Sequence, residues 1–198
     1  MELFDWRALF LVIHLVSALA MAAPLYMLIV VGERGRLGLP PNYNTDRFME
    51  NIIGRNALRC FVFQGTMALS GLALVPLSGR PWSALWADPD LIIKWVALLL
   101  LVSLLSYVHF SLQPRIEALV ILLKPGEPAP PELGPKLAPR RLLRRRLSAI
   151  CLFLVLTALV MGLRVTFGYN PYLALTFVAL GGLWAWRVYR QPVPLGWI

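Results

Sequence analysis

Four ionisable side chains lie inside otherwise apolar stretches of the 198-residue sequence: His14, Lys94, His109 and Arg164. An ionisable group at membrane depth is costly and by default functional, so these four define the chemistry open to the chain. Imidazole can ligate a metal or carry a proton. A buried ammonium or guanidinium can hold an anion such as a propionate or a phosphate headgroup. At the rise of a helix, His14 and Lys94 lie about 8 and about 12 Å to one side of the centres of their apolar runs, in a layer that Arg164 shares. His109 lies about 10 Å to the other side. Two axial ligands of one b-type haem stand about 4 Å apart, so a separation near about 18 Å excludes His14 and His109 as a pair on one iron. Either each binds separately or neither does. The outer cluster of His14, Lys94 and Arg164 has the composition of an anion site or a proton relay. The plainer alternative is that both cations snorkel to headgroups while His14 bonds a neighbouring carbonyl.

Cys60 and Cys151 fall in the same inner layer as His109. Thiolates with imidazole suit Cu(I) or zinc, but no two of these ligands are spaced along a single helix, and no stoichiometric metal site is expected. No Asp or Glu lies within the apolar runs. Hydrolytic chemistry and a carboxylate proton relay are therefore disfavoured.

These residues need elements to position them, and the composition says of what kind. Hydrophobic residues make up 59% of the chain and charged ones 15%, against about 45–50% and about 25% in soluble domains. A soluble monomer is excluded, and a formal charge of +9 gathered in a few places is no nucleic-acid footprint. Apolar runs at 8–31, 60–77, 91–112, 147–167 and 172–186 predict an all-α polytopic transmembrane bundle of five membrane helices, a four-helix core plus a shorter fifth. Asn170 and Pro171 supply an N-cap and a first-turn proline for the last of these. The acidic residues Glu2 and Asp5 and the length of the first run mark it as a retained span rather than a signal peptide. Pro24 is expected to bend it and open space for a planar cofactor beside His14. Fifteen of the nineteen Lys and Arg fall in three stretches that alternate so as to share one side. The positive-inside rule then predicts the bacterial cytoplasmic membrane with the N-terminus outside and the C-terminus in the cytoplasm.

Between the spans, 44–59 reads as an interfacial helix. The six prolines in 124–139 read as an extended flexible linker. Five arginines in Arg140–Arg146 read as a topology anchor on anionic lipid headgroups of the bilayer, with a lipid or partner dock as the sharper alternative. Gly65, Ser70 and Gly71 in the second span and Gly181 and Gly182 in the fifth are expected at close helix contacts.

The chain resembles a group of small bacterial membrane proteins, the copper-resistance protein D family and the related HemJ-type membrane-bound protoporphyrinogen oxidase. The likeness covers roughly residues 6–115. It rests on His14 followed by small residues and an aromatic, on Phe48-Met49-Glu50 and Arg55, on Lys94 early in the third span, and on Tyr107-Val108-His109. The resemblance implies functional roles for His14 and Lys94 and an association with haem b. The oxidase's Trp and Gly after the first histidine are Met21 and Ala23 here, and its Asn-Glu-Pro signature is absent. What the resemblance implies is accordingly the looser reading, a bundle that holds haem or serves redox proteins. In that reading His14 is an axial ligand or proton carrier, and Lys94 and Arg164 hold a propionate. A non-enzymatic accessory subunit of a respiratory or photosynthetic complex, with other membrane subunits as partners, is the alternative, and copper transport the third.

Overall fold

The computed structural model describes residues 5–36 and 40–190, with side chains described for 5–21 and 40–190. Helix α1 (Trp6–Arg36) is followed by α2 (Tyr43–Leu77), the single turn α3 (Ala84–Ala87) and α4 (Pro89–Tyr107). A π-helical turn (Val108–Leu112) leads from α4 into α5 (Gln113–Val120), and α6 (Leu133–Phe167) and α7 (Pro171–Arg190) complete the chain. The described residues contain no strand. Among the described residues, three helices are long and apolar enough to cross a membrane: α2, the continuous run 89–120, and α6. Within the described side chains, Trp6–Met21 adds a shorter apolar helix. The chain is an all-α bundle of membrane type.

One core lies at membrane depth, where Met21, Met67, Leu98, Leu101, Leu152 and Val155 bring α1, α2, α4 and α6 together. Helix α7 packs on the outside of α6. Gly181 and Gly182 permit that approach. A methyl group at either would stand 3.4 Å from Leu156 or 3.3 Å from Phe153. Among the described residues nothing lies within 4 Å of where a Cβ on Gly65 would be, so the close contact expected there is not found among them. The space expected beside Pro24 falls among side chains outside the described residues; the helical backbone itself continues through Pro24 to Arg36.

Two connections differ from the sequence expectation. Residues 44–59 form no separate interfacial helix but the first half of α2, which runs 35 residues, about 52 Å. Neither Gly nor Pro interrupts the chain at the junction, and the inward stripe passes through it in phase: Asp46, Glu50, Ile53, Cys60, Gln64 and Met67 are all buried. The proline-rich segment 124–139 is likewise not an extended linker, since α6 begins at Leu133 and only 121–132 connects it to α5. Leu133 and Leu137, one turn apart, enter a second core with Leu112, Ile116, Val120 and Leu123. Burying two leucines is worth about 3–6 kcal/mol, which offsets the cost of about 3 kcal/mol for Pro139 in the helix interior.

The third membrane helix also runs past its expected end to Val120. Pro114 has no N–H for the Phe110 carbonyl, and the chain widens into the π-helical turn, in which the Gln113 N–H reaches the Val108 carbonyl.

Candidate functional site

At the end of the bundle where α4 begins, His14 turns toward α2. Its Nδ1 lies 3.0 Å from Ser70 Oγ. Its Cε1 stands 3.1 Å from the position a Cβ would take on Gly71, so any larger residue there would press the ring out of this pose by a few tenths of an ångström. The Ser70 hydroxyl has one proton and donates it within α2, 2.7 Å from the Thr66 carbonyl and 3.2 Å from that of Met67. Toward His14 the hydroxyl is therefore the acceptor, and the network assigns the ring proton to Nδ1 and the lone pair to Nε2. An Nδ1–H tautomer carries its lone pair on Nε2, the form in which an imidazole ligates a metal or takes up a proton.

Lys94 stands in the second turn of α4, at the same end of the bundle. Its Nζ lies over Gly162 of α6, 3.5 Å from where a Cβ would stand. Among the described residues no carboxylate pairs with this amine. Arg164 is differently placed. It forms an ion pair with Asp90 in the first turn of α4, and its Nε donates to the Tyr169 carbonyl at 3.4 Å. Arg80 pairs with Asp88 at 2.7 Å beside it. The outer cluster expected from depth is thus divided: His14 and Lys94 keep uncommitted groups, while Arg164 is neutralised by a carboxylate that stands one residue before the apolar run of the third span.

His109 lies in the π-helical turn, edge-on to Phe61 with ring centroids 5.7 Å apart, and its buried Nδ1 has no partner. Phe61 and Ser70 are nine residues apart on α2, so the two imidazoles sit about 13 Å apart along that helix. They cannot share one iron. Cys60 is buried and Cys151 half-buried, both free thiols. No three His, Cys, Asp or Glu side chains among the described residues come together as a metal site.

A second constellation was missed by sequence reasoning. At the opposite end, Arg141 donates to Asp46 at 2.6 Å and to Glu50 at 2.9 Å. Arg144 grips both Glu50 oxygens, at 2.5 and 3.2 Å. Gln113 joins in, accepting from Arg144 at 2.7 Å and donating to Glu50 and Glu117 at 3.0 Å each. Asp46, Glu50, Gln113 and Arg144 are buried, and the two carboxylates balance the two guanidiniums. The run Arg140–Arg146 is consequently not a uniform headgroup anchor. Two of its arginines hold α6 against α2, Arg140 caps the Lys136 carbonyl, and Arg146 stacks on Tyr189 at 5.1 Å. The available signal was the helical stripe. Arg141 and Arg144 continue the inward face of Leu133, Leu137, Ser148, Leu152 and Val155, as Asp46 and Glu50 continue that of α2.

No protein-family model matches the chain, and neither the curated proteins nor the solved structures compared with it do.

Proposed function

We propose that the chain is a redox-related integral membrane protein of the copper-resistance-D or HemJ-like kind, in which His14 and Lys94 form the working pair. The observation that carries this is the His14–Ser70–Thr66 chain of hydrogen bonds, which supports a lone pair on Nε2 at the end of the bundle where the Lys94 amine has no carboxylate partner among the described residues. Such a pair suits a planar ligand bearing carboxylates: Nε2 accepts a proton or a metal, and Lys94 holds a carboxylate. For a haem b, the residues present supply one axial ligand, His14, and one propionate partner, Lys94. Arg164 is committed to Asp90, and His109 is too distant to complete the iron. The haem would supply one-electron transfer.

The absorption spectrum of the purified protein tests this. A Soret band that disappears in His14→Ala is expected. A colourless wild-type protein, or an unchanged band in His14→Ala, would defeat the haem reading.

One observation favours the accessory-subunit alternative. Among the described residues nothing lies within 4 Å of a Cβ on Gly65, which sits between Val62 and Leu69, both more than half exposed, a notch in an apolar face of the kind that admits a neighbouring helix. Under that reading the protein has no Soret band, and Gly65→Leu dissociates it from its complex in native gels.

The orientation we propose places the ion-network end in the cytoplasm of a bacterial inner membrane and the N-terminus outside. It is supported by the gathering of Asp46, Glu50, Gln113, Arg141 and Arg144 at one end, which joins two of the cation-rich stretches, and by the positive-inside rule.

A further inference from the structure

Between the first half of α2 and α5 lies a cleft of about 470 Å³. Arg47, Asn51 and Arg55 line it at intervals of one helical turn along one face of α2. Both guanidiniums are exposed, and among the described residues neither takes part in a hydrogen bond or ion pair. Of the two carboxylates that line the cleft, Glu50 is already held by Arg141, Arg144 and Gln113. Across the cleft stands Glu117, exposed, with one oxygen accepting from Gln113 and the other open. The cleft therefore presents two cations and one carboxylate, a net single positive charge.

Its other features are those of a headgroup site. Ala118 and Ile121 continue the α5 wall as exposed apolar surface. At helical rise, Arg55 lies about 6 Å beyond Arg59 and Glu117 about 3 Å beyond Arg115, where the charge-free stretches of α2 and of the α4–α5 run end. This is the level of the lipid phosphates, and Arg47 stands about 12 Å further out along α2. Guanidiniums a turn or two apart can converge on phosphate oxygens, and the Glu117 carboxylate and the Asn51 carbonyl accept from hydroxyls.

We infer that this cleft binds the headgroup of an anionic phospholipid, a singly charged phosphodiester carrying hydroxyl donors, with Arg47 and Arg55 on the phosphate and Glu117 and Asn51 on the hydroxyls. This shifts the lipid contact from Arg140–Arg146, whose members are largely occupied within the protein, to a pair of arginines that are not. It rests on the membrane character of the fold and is independent of the His14 reading.

Native mass spectrometry of the purified full-length chain in detergent tests it, with phosphatidylglycerol and phosphatidylcholine added in parallel. Phosphatidylglycerol should be retained, and an Arg47→Gln/Arg55→Gln variant should hold it about thirtyfold more weakly, at about 1 kcal/mol per arginine near the surface. Arg140→Gln should change nothing. Equal retention of phosphatidylcholine, or undiminished retention by the double variant, overturns the inference. Displacement by inorganic phosphate would assign the cleft to a soluble anion and overturn the lipid assignment. A measurement on the wild type guards against a misfolded variant. Phenylglyoxal should modify Arg47 and Arg55 in phosphatidylcholine micelles, and phosphatidylglycerol should protect both; absence of protection refutes the site.

Discussion

At the scale of single residues, the arrangement around His14 depends on two neighbours on α2. Ser70 accepts from Nδ1 only because its own proton is committed to the Thr66 carbonyl. Nitrogen-15 NMR of labelled histidine should therefore show His14 as the neutral Nδ1–H tautomer, with Ser70→Ala shifting the population toward Nε2–H. A wild-type spectrum dominated by Nε2–H would contradict the assignment. Gly71 and Gly65 make a matched pair. A methyl at Gly71 meets the His14 ring at 3.1 Å, whereas one at Gly65 meets nothing. Gly71→Ala should perturb the His14 resonances and Gly65→Ala should leave them as they are. That His14 faces inward was legible in the sequence, because an imidazole turned to lipid finds no partner for its N–H. Its actual partner was not. Depth places residues in layers but says nothing of their direction around the helix axis, so Lys94 and Arg164 looked equally available. Asp90 settles the fate of Arg164 from just outside the apolar run, where a search confined to the spans does not reach.

At the scale of elements, the long helices are governed by stripes that ignore the membrane boundary. The inward face of α2 carries Met67, Gln64 and Cys60 at membrane depth and then Ile53, Glu50 and Asp46 beyond it. The inward face of α6 does the same through Ser148 to Arg144 and on to Leu137. Where two such faces meet beyond the hydrocarbon, the residues on them are still buried, and charges there must be paired. Breaking a buried pair by removing one partner costs about 3–5 kcal/mol, while replacing both by apolar residues of similar size is near neutral. Glu50→Met or Arg144→Met alone should lower the thermal midpoint markedly. The double variant should recover most of the loss, because Arg141 still pairs with Asp46 and Gln113 still bonds Glu117. A double variant whose loss equals the sum of the two single losses would mean that Glu50 and Arg144 act separately. The helical periodicity of the spans was legible from charge-free length. The packed start of α6 was not, because six prolines between 124 and 139 mask the two leucines that decide its fate.

At the scale of the molecule, the two ends are held by different devices. One is closed by the Asp46–Glu50–Arg141–Arg144 network and the leucine cluster beneath it. The other is closed by the Arg80–Asp88 and Arg164–Asp90 pairs and the left-handed Gly168 that ends α6, its N–H returning to the Arg164 carbonyl at 2.8 Å. Contacts alone fix which segments share an end, and the orientation we propose rests on the excess of cations at the network end. Ser83 lies at one end, before α3, and Glu127 at the other, between α5 and α6; both are exposed. The native thiols make a usable background, since Cys60 is buried and Cys151 half-buried at membrane depth. In intact bacteria expressing the protein, a membrane-impermeant maleimide should label Ser83→Cys from the periplasm and reach Glu127→Cys only after the inner membrane is opened. The reverse pattern would invert the bundle without disturbing its packing. Labelling of both from the periplasm would put on one side two ends of the bundle that the lengths of α4 and α6 set across a bilayer from each other, and would overturn the membrane architecture itself.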